Sequence, residues 1–189
     1  MEELLAYFQS LHPLTPEIQS ALLSRSTKEI HRKRKTLLYA GQFCDWVGFI
    51  EKGMIKTCYD ITGGDERIIS FAREGEIACA IKSYTSNTAS RMSLVTMDNT
   101  IVWKIRKLEL EDIAIRFPEF HIHLRRVVEV QMMLLEDHYL LLSLAPRKRL
   151  EQMEREQAWL LKDPRIWDYS VADYLGIDRA TFSRWRKGK

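Results

Sequence analysis

The sequence changes its periodicity near residue 105, and this change limits the folds that the chain can adopt. From Leu37 to Ile105, short runs rich in β-branched and aromatic residues alternate with Gly, Asn and Asp, including Gly63-Gly64-Asp65 between two runs. Such a pattern is typical of many short strands joined by turns. Helical patterns surround it, so we predict an α+β chain with a small β-sandwich or barrel.

A long amphipathic stretch runs from Pro118 to Leu144. Proline is favoured in the first turn of a helix, so Pro118 predicts a helix start. At about 1.5 Å per residue the helix would be about 40 Å long, which is more than a small β domain needs for its own core. A helix of this length with an apolar stripe often pairs with a second copy of itself. The stripe consists of Leu124, Val127 or Val128, Gln131, Leu134 or Leu135, His138, and Leu141 or Leu142.

Proline also marks two other helix starts. Residues 1 to 29 are predicted to be helical, with Thr15 as an N-cap and Pro16 at the first position of a second helix. Pro146 ends the long helix and opens the next one.

Composition excludes several classes of protein. No run of eighteen apolar residues occurs, and the first ten residues carry acids where a secretory signal carries Lys or Arg, so we expect a cytoplasmic protein without membrane contact. Cys44, Cys58 and Cys79 match neither a disulfide framework nor a CxxC metal site, and we expect reduced, packed thiols. The histidines His121 and His123 lack partners that would complete a tetrahedral metal site.

The positive charge is concentrated at the C-terminus. The net charge is +3, and the stretch Leu144–Lys189 holds eleven Lys and Arg against seven Asp and Glu. Within it, an apolar helix is followed by Gly176 as a left-handed turn position and by Asp178 as the cap of a second, basic helix. This is the outline of a helix-turn-helix, whose second helix enters the major groove of DNA. We expect Leu175 and Phe182 to be buried and the basic residues to stay exposed.

The segment SVADYLGIDRATFSRWRK resembles the DNA-recognition half of the cyclic-AMP receptor protein and Fnr (Crp/Fnr) family of bacterial transcription regulators, and the KG...GGDERIISF...EGE spacing resembles the family's cyclic-nucleotide-binding fold. The resemblance covers almost the whole chain. It implies a cyclic-nucleotide-binding-like β-roll (a double-stranded jelly roll) over 1–115, a dimerisation helix over 116–144 and a helix-turn-helix DNA-binding domain over 145–189. It also implies a homodimer on a two-fold symmetric operator in double-stranded DNA, with RNA polymerase as a further partner.

The resemblance assigns roles to the last helices. Arg179 matches the family's Arg that contacts phosphate and base at the start of the recognition helix, and Arg184 matches the Arg that reads guanine through a bidentate fork. The family's common Glu is Ala180 here, so we expect an operator other than the family's best-known one. The chain resembles short, Bacteroidetes-type members that end without a β-hairpin wing. The expected DNA-binding residues are Ser170, Arg179, Thr181, Ser183, Arg184, Arg186 and Lys187.

The family's ligand pocket is matched only in part. Gly75-Glu76 matches the pair that opens the phosphate-binding cassette, but no Arg stands at the usual offset of about ten residues. Counting back from the last strand puts Ser90 in the Arg register and Arg91 one place later, where strand alternation would turn it to the opposite face. No cofactor is expected; a cyclic nucleotide, another small anionic or apolar effector, or no ligand remain open. The expected pocket residues are Gly75, Glu76, Ser90, Arg91 and Leu135.

Two other classes of protein compete with a regulator. An enzyme is not favoured, because the sequence lacks GxSxG, a P-loop and HExxH. A ligand-binding or protein-interaction β-roll with a solvated basic C-terminus fits the same charge pattern. The salt dependence of DNA binding separates the two, since phosphate contacts release counterions.

Overall fold

The computed structural model describes residues 1–61 and 66–187. The turn predicted at Gly63-Gly64-Asp65 and the side chain of Lys187 lie outside the described residues. Two helices, α1 (Glu2–Leu11) and α2 (Pro16–Arg25), come first. They are followed by β1 (Thr27–His31), β2 (Thr36–Leu38), β3 (Trp46–Lys52), β4 (Ile55–Asp60), β5 (Glu66–Ala72), β6 (Ile77–Ala78), the short helix α3 (Ile81–Ser86), β7 (Ser93–Thr96) and β8 (Thr100–Arg106).

Among the described residues, these strands form two antiparallel sheets of four strands each, in the orders β1-β8-β3-β6 and β2-β7-β4-β5. Residues from both sheets fill one apolar core, because alternate side chains of a strand point to the same face. The prediction of many short strands between residues 37 and 105 is confirmed. The core between the sheets contains Leu38, Ile50, Ile55, Leu94 and Val102.

The N-terminal prediction is correct for the helices and wrong at its end. The Thr15 side chain accepts a hydrogen bond from the N–H of Ile18 (3.4 Å), and Pro16 is the first residue of α2, as the sequence predicts. Residues 27 to 29, however, belong to β1 and not to a helix, since Thr27 pairs with Lys104 of β8. Pairing with a strand distant in the sequence outweighs the local pattern here.

The second half of the chain is helical. After α4 (Lys107–Arg116), the helix α5 (Phe120–Ser143) has 24 residues and is therefore about 36 Å long. It begins two residues after Pro118, and the next helix begins at Pro146, so both predicted starts are confirmed. The remaining helices are α6 (Pro146–Glu156), α7 (Trp159–Lys162), α8 (Asp168–Tyr174) and α9 (Arg179–Lys187).

Helix α8 packs on β5, and helices α6 to α9 share an apolar cluster with β4 and β5. Cys58 and Ile68 on these strands are buried in a second apolar cluster. No described helix is both long enough and apolar enough to span a lipid bilayer. The other buried members of the cluster include Met54, Leu141, Leu150, Met153, Leu160, Val171, Leu175 and Phe182.

The turn between β3 and β4 requires glycine at Gly53. Its φ of +97° is unfavourable for other residues, and an added Cβ would lie 2.6 Å from Thr100 Oγ1 and 2.8 Å from Asp98 Oδ1. Gly41 has a similar φ of +90°, but an added Cβ would meet nothing within 4 Å. Substitutions at the two positions therefore allow the effect of backbone strain to be separated from the effect of steric crowding.

We expect Gly41→Ala to lower the free energy of unfolding by about 1–3 kcal/mol through backbone strain alone. Gly53→Ala should lower it by about 1–3 kcal/mol more, because the turn must also move away from the new methyl group. Urea unfolding of both variants measures the difference. Equal losses in the two variants would contradict the crowding at Gly53.

Candidate nucleic-acid interface and ligand cavity

Helices α8 and α9 are joined by a short turn at Gly176. Gly176 adopts φ +61°, and the N–H of Ile177 reaches back to the carbonyl of Ala172 (2.9 Å). Asp178 then caps α9 by accepting a hydrogen bond from the N–H of Thr181 (3.0 Å), which also lowers the pKa of this carboxyl. The turn and cap lie where the sequence predicts them.

The anchoring of α9 is apolar. Leu175, directly before the turn, and Phe182, in the first half of α9, are almost completely buried, as the sequence predicts. Truncating a buried Phe typically costs about 3–5 kcal/mol, so this anchor is strong relative to the stability of a small domain. The helix is therefore fixed in place by one face, and its other face is free to carry charge.

The expected DNA-binding residues differ in exposure. Arg179 and Arg184 are exposed, while Thr181 and Ser183 are half-buried. Ser170 is only 2% exposed, so the structure does not present it at the surface, in contrast to the expectation from the sequence.

Two of these cations have neighbours on α8. Arg186 is half-buried and lies 3.6 Å from Asp168, and the guanidinium of Arg179 lies 5.3 Å from the centre of the Tyr169 ring. Both contacts are with exposed or half-exposed partners, and such pairs contribute little to stability. The charges of α9 thus remain directed towards solvent.

A basic turn between β1 and β2, residues Arg32–Lys35, adjoins this surface. Lys33 and Arg34 lie 5.6 and 5.8 Å from the ring of Trp167, and Trp167 packs edge-to-face on Tyr169 at 5.3 Å. A row of cations and aromatic rings therefore extends from the basic turn to Arg179 of α9. The four consecutive basic residues are visible in the sequence, but only the fold brings them next to the C-terminal helices.

The basic turn is held by a buried threonine. The hydroxyl of Thr96 donates to the carbonyl of Arg32 (2.8 Å) and accepts from the N–H of Lys35 (2.8 Å), while its carbonyl accepts from the N–H of Arg34 (2.9 Å). Arg34 has a φ of +64°, which is uncommon for a residue other than glycine. The backbone that carries the four charges is therefore fixed.

A cavity of about 1500 Å³ lies between β4, β5, β6 and α3 on one side and α5, α6 and α7 on the other. We call it the ligand cavity. Aromatic and aliphatic side chains make up much of its wall, which suits a largely apolar small molecule. Its lining includes Tyr7, Tyr59, Ile69, Phe71, Met92, Val130, Leu134, Leu140 and Trp159.

Four of the five expected pocket residues line this cavity, namely Glu76, Ser90, Arg91 and Leu135, whereas Gly75 is exposed outside it. Glu76 acts as a turn carboxylate, because it accepts from the N–H of Arg73 (3.0 Å) and pairs with its guanidinium (3.4 Å). That guanidinium also lies 4.4 Å from the Trp159 ring. The Arg73 guanidinium beside Glu76 is thus already engaged by protein groups.

The predicted strand register at Ser90 and Arg91 is wrong, because β7 begins only at Ser93. Strand alternation therefore does not determine the direction of Arg91, which is exposed at the cavity. The Ser90 hydroxyl is used locally, donating to the carbonyl of Met92 (2.8 Å) and accepting from its N–H (3.0 Å). Neither residue therefore supplies the buried guanidinium that would bind a phosphate in the cavity.

A cluster of charges joins the segment before α8 to the β-sheets. Arg165 donates to Glu74 (2.5 Å) and Asp163 (2.7 Å) and lies 3.5 Å from Asp98. The hydrogen bond from Arg165 holds the pKa of Asp163 below its ordinary value, although partial burial opposes the shift. Partial burial likewise works to raise the pKa of Glu74, but hydrogen bonds from Arg165 and the Gly53 N–H outweigh it and lower the pKa.

Several solved structures share the fold of this chain. FixK2 from Bradyrhizobium japonicum is 20% identical with a TM-score of 0.71, over 86% of this chain and 83% of that one. The c-di-GMP responsive global regulator CLP of Xanthomonas campestris is 14% identical with a TM-score of 0.72, over 92% and 91%. The catabolite activator protein of Thermus thermophilus is 20% identical with a TM-score of 0.58, over 94% and 84%. No protein-family model and no curated protein sequence matches the chain.

These similar proteins are Crp/Fnr family regulators. The chain therefore has the Crp/Fnr-type cyclic-nucleotide-binding fold. The resemblance noted in the sequence is confirmed for the fold.

We expect Arg165→Met to be less stable than the unchanged protein at neutral pH. The difference in melting temperature between the two proteins should become smaller as the pH falls. Asp163 and Glu74 have lowered pKa values in the folded state, so their pairing stabilises the protein above the unfolded values of about 3.9 and 4.3 and is lost on acidification. Melting temperatures measured from pH 7 to pH 3 show the trend.

The control is Arg116→Met, which removes an exposed pair with Asp112 on the same helix. Its effect should stay within a few tenths of a kcal/mol at every pH. If the difference in melting temperature between Arg165→Met and the unchanged protein does not change with pH, the carboxylates do not stabilise the fold by pairing with Arg165.

Proposed function

We propose that the chain is a DNA-binding transcription regulator of the Crp/Fnr type, with α9 as the helix that enters the major groove. The observation that carries the proposal is the exposed position of Arg179 and Arg184 on a helix anchored by buried Leu175 and Phe182. A groove-binding helix needs this combination, because base contacts require side chains held at fixed positions. Within this proposal, residues 145–189 form the DNA-binding domain, and Arg186 and Lys187 add phosphate contacts.

The basic turn strengthens the proposal. Arg32–Lys35 lies beside α8 through the contacts of Lys33 and Arg34 with Trp167, so its charge adds to that of α9 on a continuous surface. Phosphate contacts supply most of the sequence-independent affinity for DNA. A duplex seated on α9 would be attracted by both groups of cations at once.

The proposal includes a two-fold symmetric dimer formed by α5, within residues 116–144. Val127, His138 and Leu141 of the predicted stripe are buried inside the chain. A second row of apolar residues, which includes the stripe's alternatives Val128, Leu135 and Leu142, has members four and three residues apart, which is the spacing of a coiled-coil seam. We call this row the seam; it consists of Val128, Met132, Leu135, Tyr139 and Leu142.

Much of the seam is left uncovered by the part of the chain that the structure describes. Met132 is 65% exposed and Tyr139 is 75% exposed, although both are large apolar or aromatic residues. A monomer gains nothing from such a surface, whereas a second copy would bury it. Pairing along α5 would also place two copies of α9 about 34 Å apart, the distance between successive major grooves.

We further propose that the β-roll, residues 1–115, binds a largely apolar effector and not cyclic AMP. The cavity wall is rich in aromatic and aliphatic groups, Glu76 is paired with Arg73, and the Ser90 hydroxyl is bonded to the backbone of Met92. The effector would contact α5 and α7 together and so act on the helices that carry α9. RNA polymerase is a further proposed partner, through the family resemblance alone.

We expect the affinity for random-sequence duplex DNA to fall steeply with salt, each neutralised phosphate contributing about 0.9 to the log–log slope. Arg179→Ala should reduce that slope by about 0.9. Arg184→Ala should cost about 1–3 kcal/mol on an operator selected from a random pool and relax specificity at one base position. Fluorescence anisotropy at several salt concentrations measures both effects.

Arg116→Ala is the control, because this arginine lies at the end of α4 and pairs with Asp112. It should leave both the slope and the operator affinity unchanged. A salt-independent, weak interaction of the unchanged protein with DNA would favour the rival function, a ligand-binding or protein-interaction module with a solvated basic end.

We expect Met132→Glu to convert the protein from dimer to monomer at micromolar concentration, because two glutamates would face each other in an apolar seam. Met133→Glu is the matched control, since Met133 is also exposed (57%) but lies off the seam. Sedimentation equilibrium measures the mass of each variant. A monomeric unchanged protein, or equal masses for the two variants, would contradict the seam.

A further inference from the structure

Two cysteines far apart in the sequence meet at one side of the ligand cavity. The sulfur atoms of Cys44 and Cys79 lie 3.9 Å apart. Cys44 precedes β3 and Cys79 follows β6, and these strands pair through Gly48 and Ala78. The sequence predicts reduced, packed thiols, and the pairing of β3 with β6 makes two of them neighbours.

The two thiols have different surroundings. Cys44 is 2% exposed, whereas Cys79 is half-buried and lines the ligand cavity. Both sulfurs contact the carbonyl of Trp46, at 3.3 Å from Cys44 and 3.7 Å from Cys79. A hydrogen bond from Cys79 lowers the pKa of the Cys44 thiol to about 7, and the same bond together with burial raises the pKa of Cys79. The hydrogen bond between them therefore favours the thiolate at Cys44 and the thiol at Cys79.

We propose that Cys44 and Cys79 form a dithiol–disulfide modification site that is oxidised by small hydroperoxides entering through the ligand cavity. The cavity reaches Cys79, and the Cys44 sulfur lies 3.9 Å beyond it, so a peroxide molecule that passes the Cys79 side chain meets the Cys44 thiolate. A thiolate with a neighbouring thiol is the arrangement that turns a first oxidation into a disulfide.

The reaction balances with hydrogen peroxide as the only co-reactant. The Cys44 thiolate attacks one peroxide oxygen, the O–O bond breaks, and hydroxide leaves, so Cys44 becomes a sulfenic acid. The Cys79 sulfur then attacks the Cys44 sulfur, the S–O bond breaks, and the thiol proton leaves with the hydroxyl as water. Two electrons pass from the two sulfurs to the peroxide, and the first hydroxide is neutralised by solvent.

The geometry requires only a small movement. A disulfide has an S–S distance of about 2.05 Å, so the two sulfurs must approach each other by about 2 Å. Rotation about the two Cα–Cβ bonds supplies a movement of this size. The segments are already joined, because the Ser83 hydroxyl of α3 accepts from the N–H of Cys44 (2.9 Å).

The bond would fasten the segment before β3 to the start of α3. Ala80 and Ser83 at this end of α3 line the ligand cavity. Oxidation would therefore fix one wall of the cavity and change its shape for any effector. The modification itself does not depend on the proposed DNA binding.

The third cysteine provides an internal control. Cys58 lies on β4 in the cluster with the C-terminal helices, where burial raises the pKa of its thiol to about 12. Its sulfur lies 3.8 Å from the carbonyl of Ser93. A buried thiol of this kind reacts slowly with peroxide.

The test treats the reduced full-length protein with one equivalent of hydrogen peroxide under native conditions, followed by alkylation in denaturant. We expect two of the three thiols to resist alkylation, with a non-reducing peptide map that contains a Cys44–Cys79 link. Cys58→Ser should form the same link at the same rate.

Cys44→Ser and Cys79→Ser should each fail to form an intramolecular link. The result does not depend on their folding, because the unchanged protein alone decides the question: the link should form faster in native buffer than in urea. Over-oxidation of Cys44 or Cys79 to sulfinic acid without a link, or links that involve Cys58 equally often, would overturn the proposal.

Discussion

The carboxylate of Asp173 in α8 accepts a hydrogen bond from the backbone N–H of Ile68 in β5 (2.5 Å), and the placement of the C-terminal helices depends on this contact. β5 stands at the end of its sheet, where backbone donors otherwise face solvent or another chain. Arg67 lies 3.6 Å from the other carboxylate oxygen. Beside this polar contact, Ile68 is buried among residues of α8 and α9. The β-sheets therefore serve as the base on which four short helices are assembled, which is needed because about forty residues rarely form a stable core alone.

The packing of α8 on the sheets also determines which charged residues lie close together. Because α8 is fixed on the sheets, Trp167 and Tyr169 at its start connect the basic turn to α9. Thr96 fixes the turn from inside, and Phe182 fixes α9. A polyanion would therefore meet two rigid groups of cations whose separation is set by the folded chain. Surface charges on mobile segments would have to lose much more conformational entropy for the same contacts.

Local signals made much of the fold predictable from the sequence. The Thr15 cap, the helix starts near Pro118 and Pro146, and the turn and cap at Gly176 and Asp178 each arise from neighbouring residues, and each is found where it was expected. Such features depend on backbone dihedral angles and hydrogen bonds within a few residues.

The features that sequence reasoning missed depend on distant contacts. The strand at Thr27 exists because β8 pairs with it, and Cys44 meets Cys79 because β3 pairs with β6. The burial of Ser170 follows from the packing of α8 on the sheet, which no local pattern reports. The apolar stripe of α5 was visible, but its division into an internal face and an exposed seam was not, because both faces carry similar residues. Periodicity reveals an apolar face without revealing what covers it.

Within a single turn, helix α5 contacts both the ligand cavity and the exposed seam. Leu134 and Leu135 both line the ligand cavity, and Leu135 also belongs to the exposed seam. In a dimer joined at that seam, a ligand in the cavity of one protomer would contact Leu135, which also packs against the partner protomer. Binding of a ligand in one cavity would then make the two protomers differ in structure. The second cavity would no longer have the same shape for the next ligand.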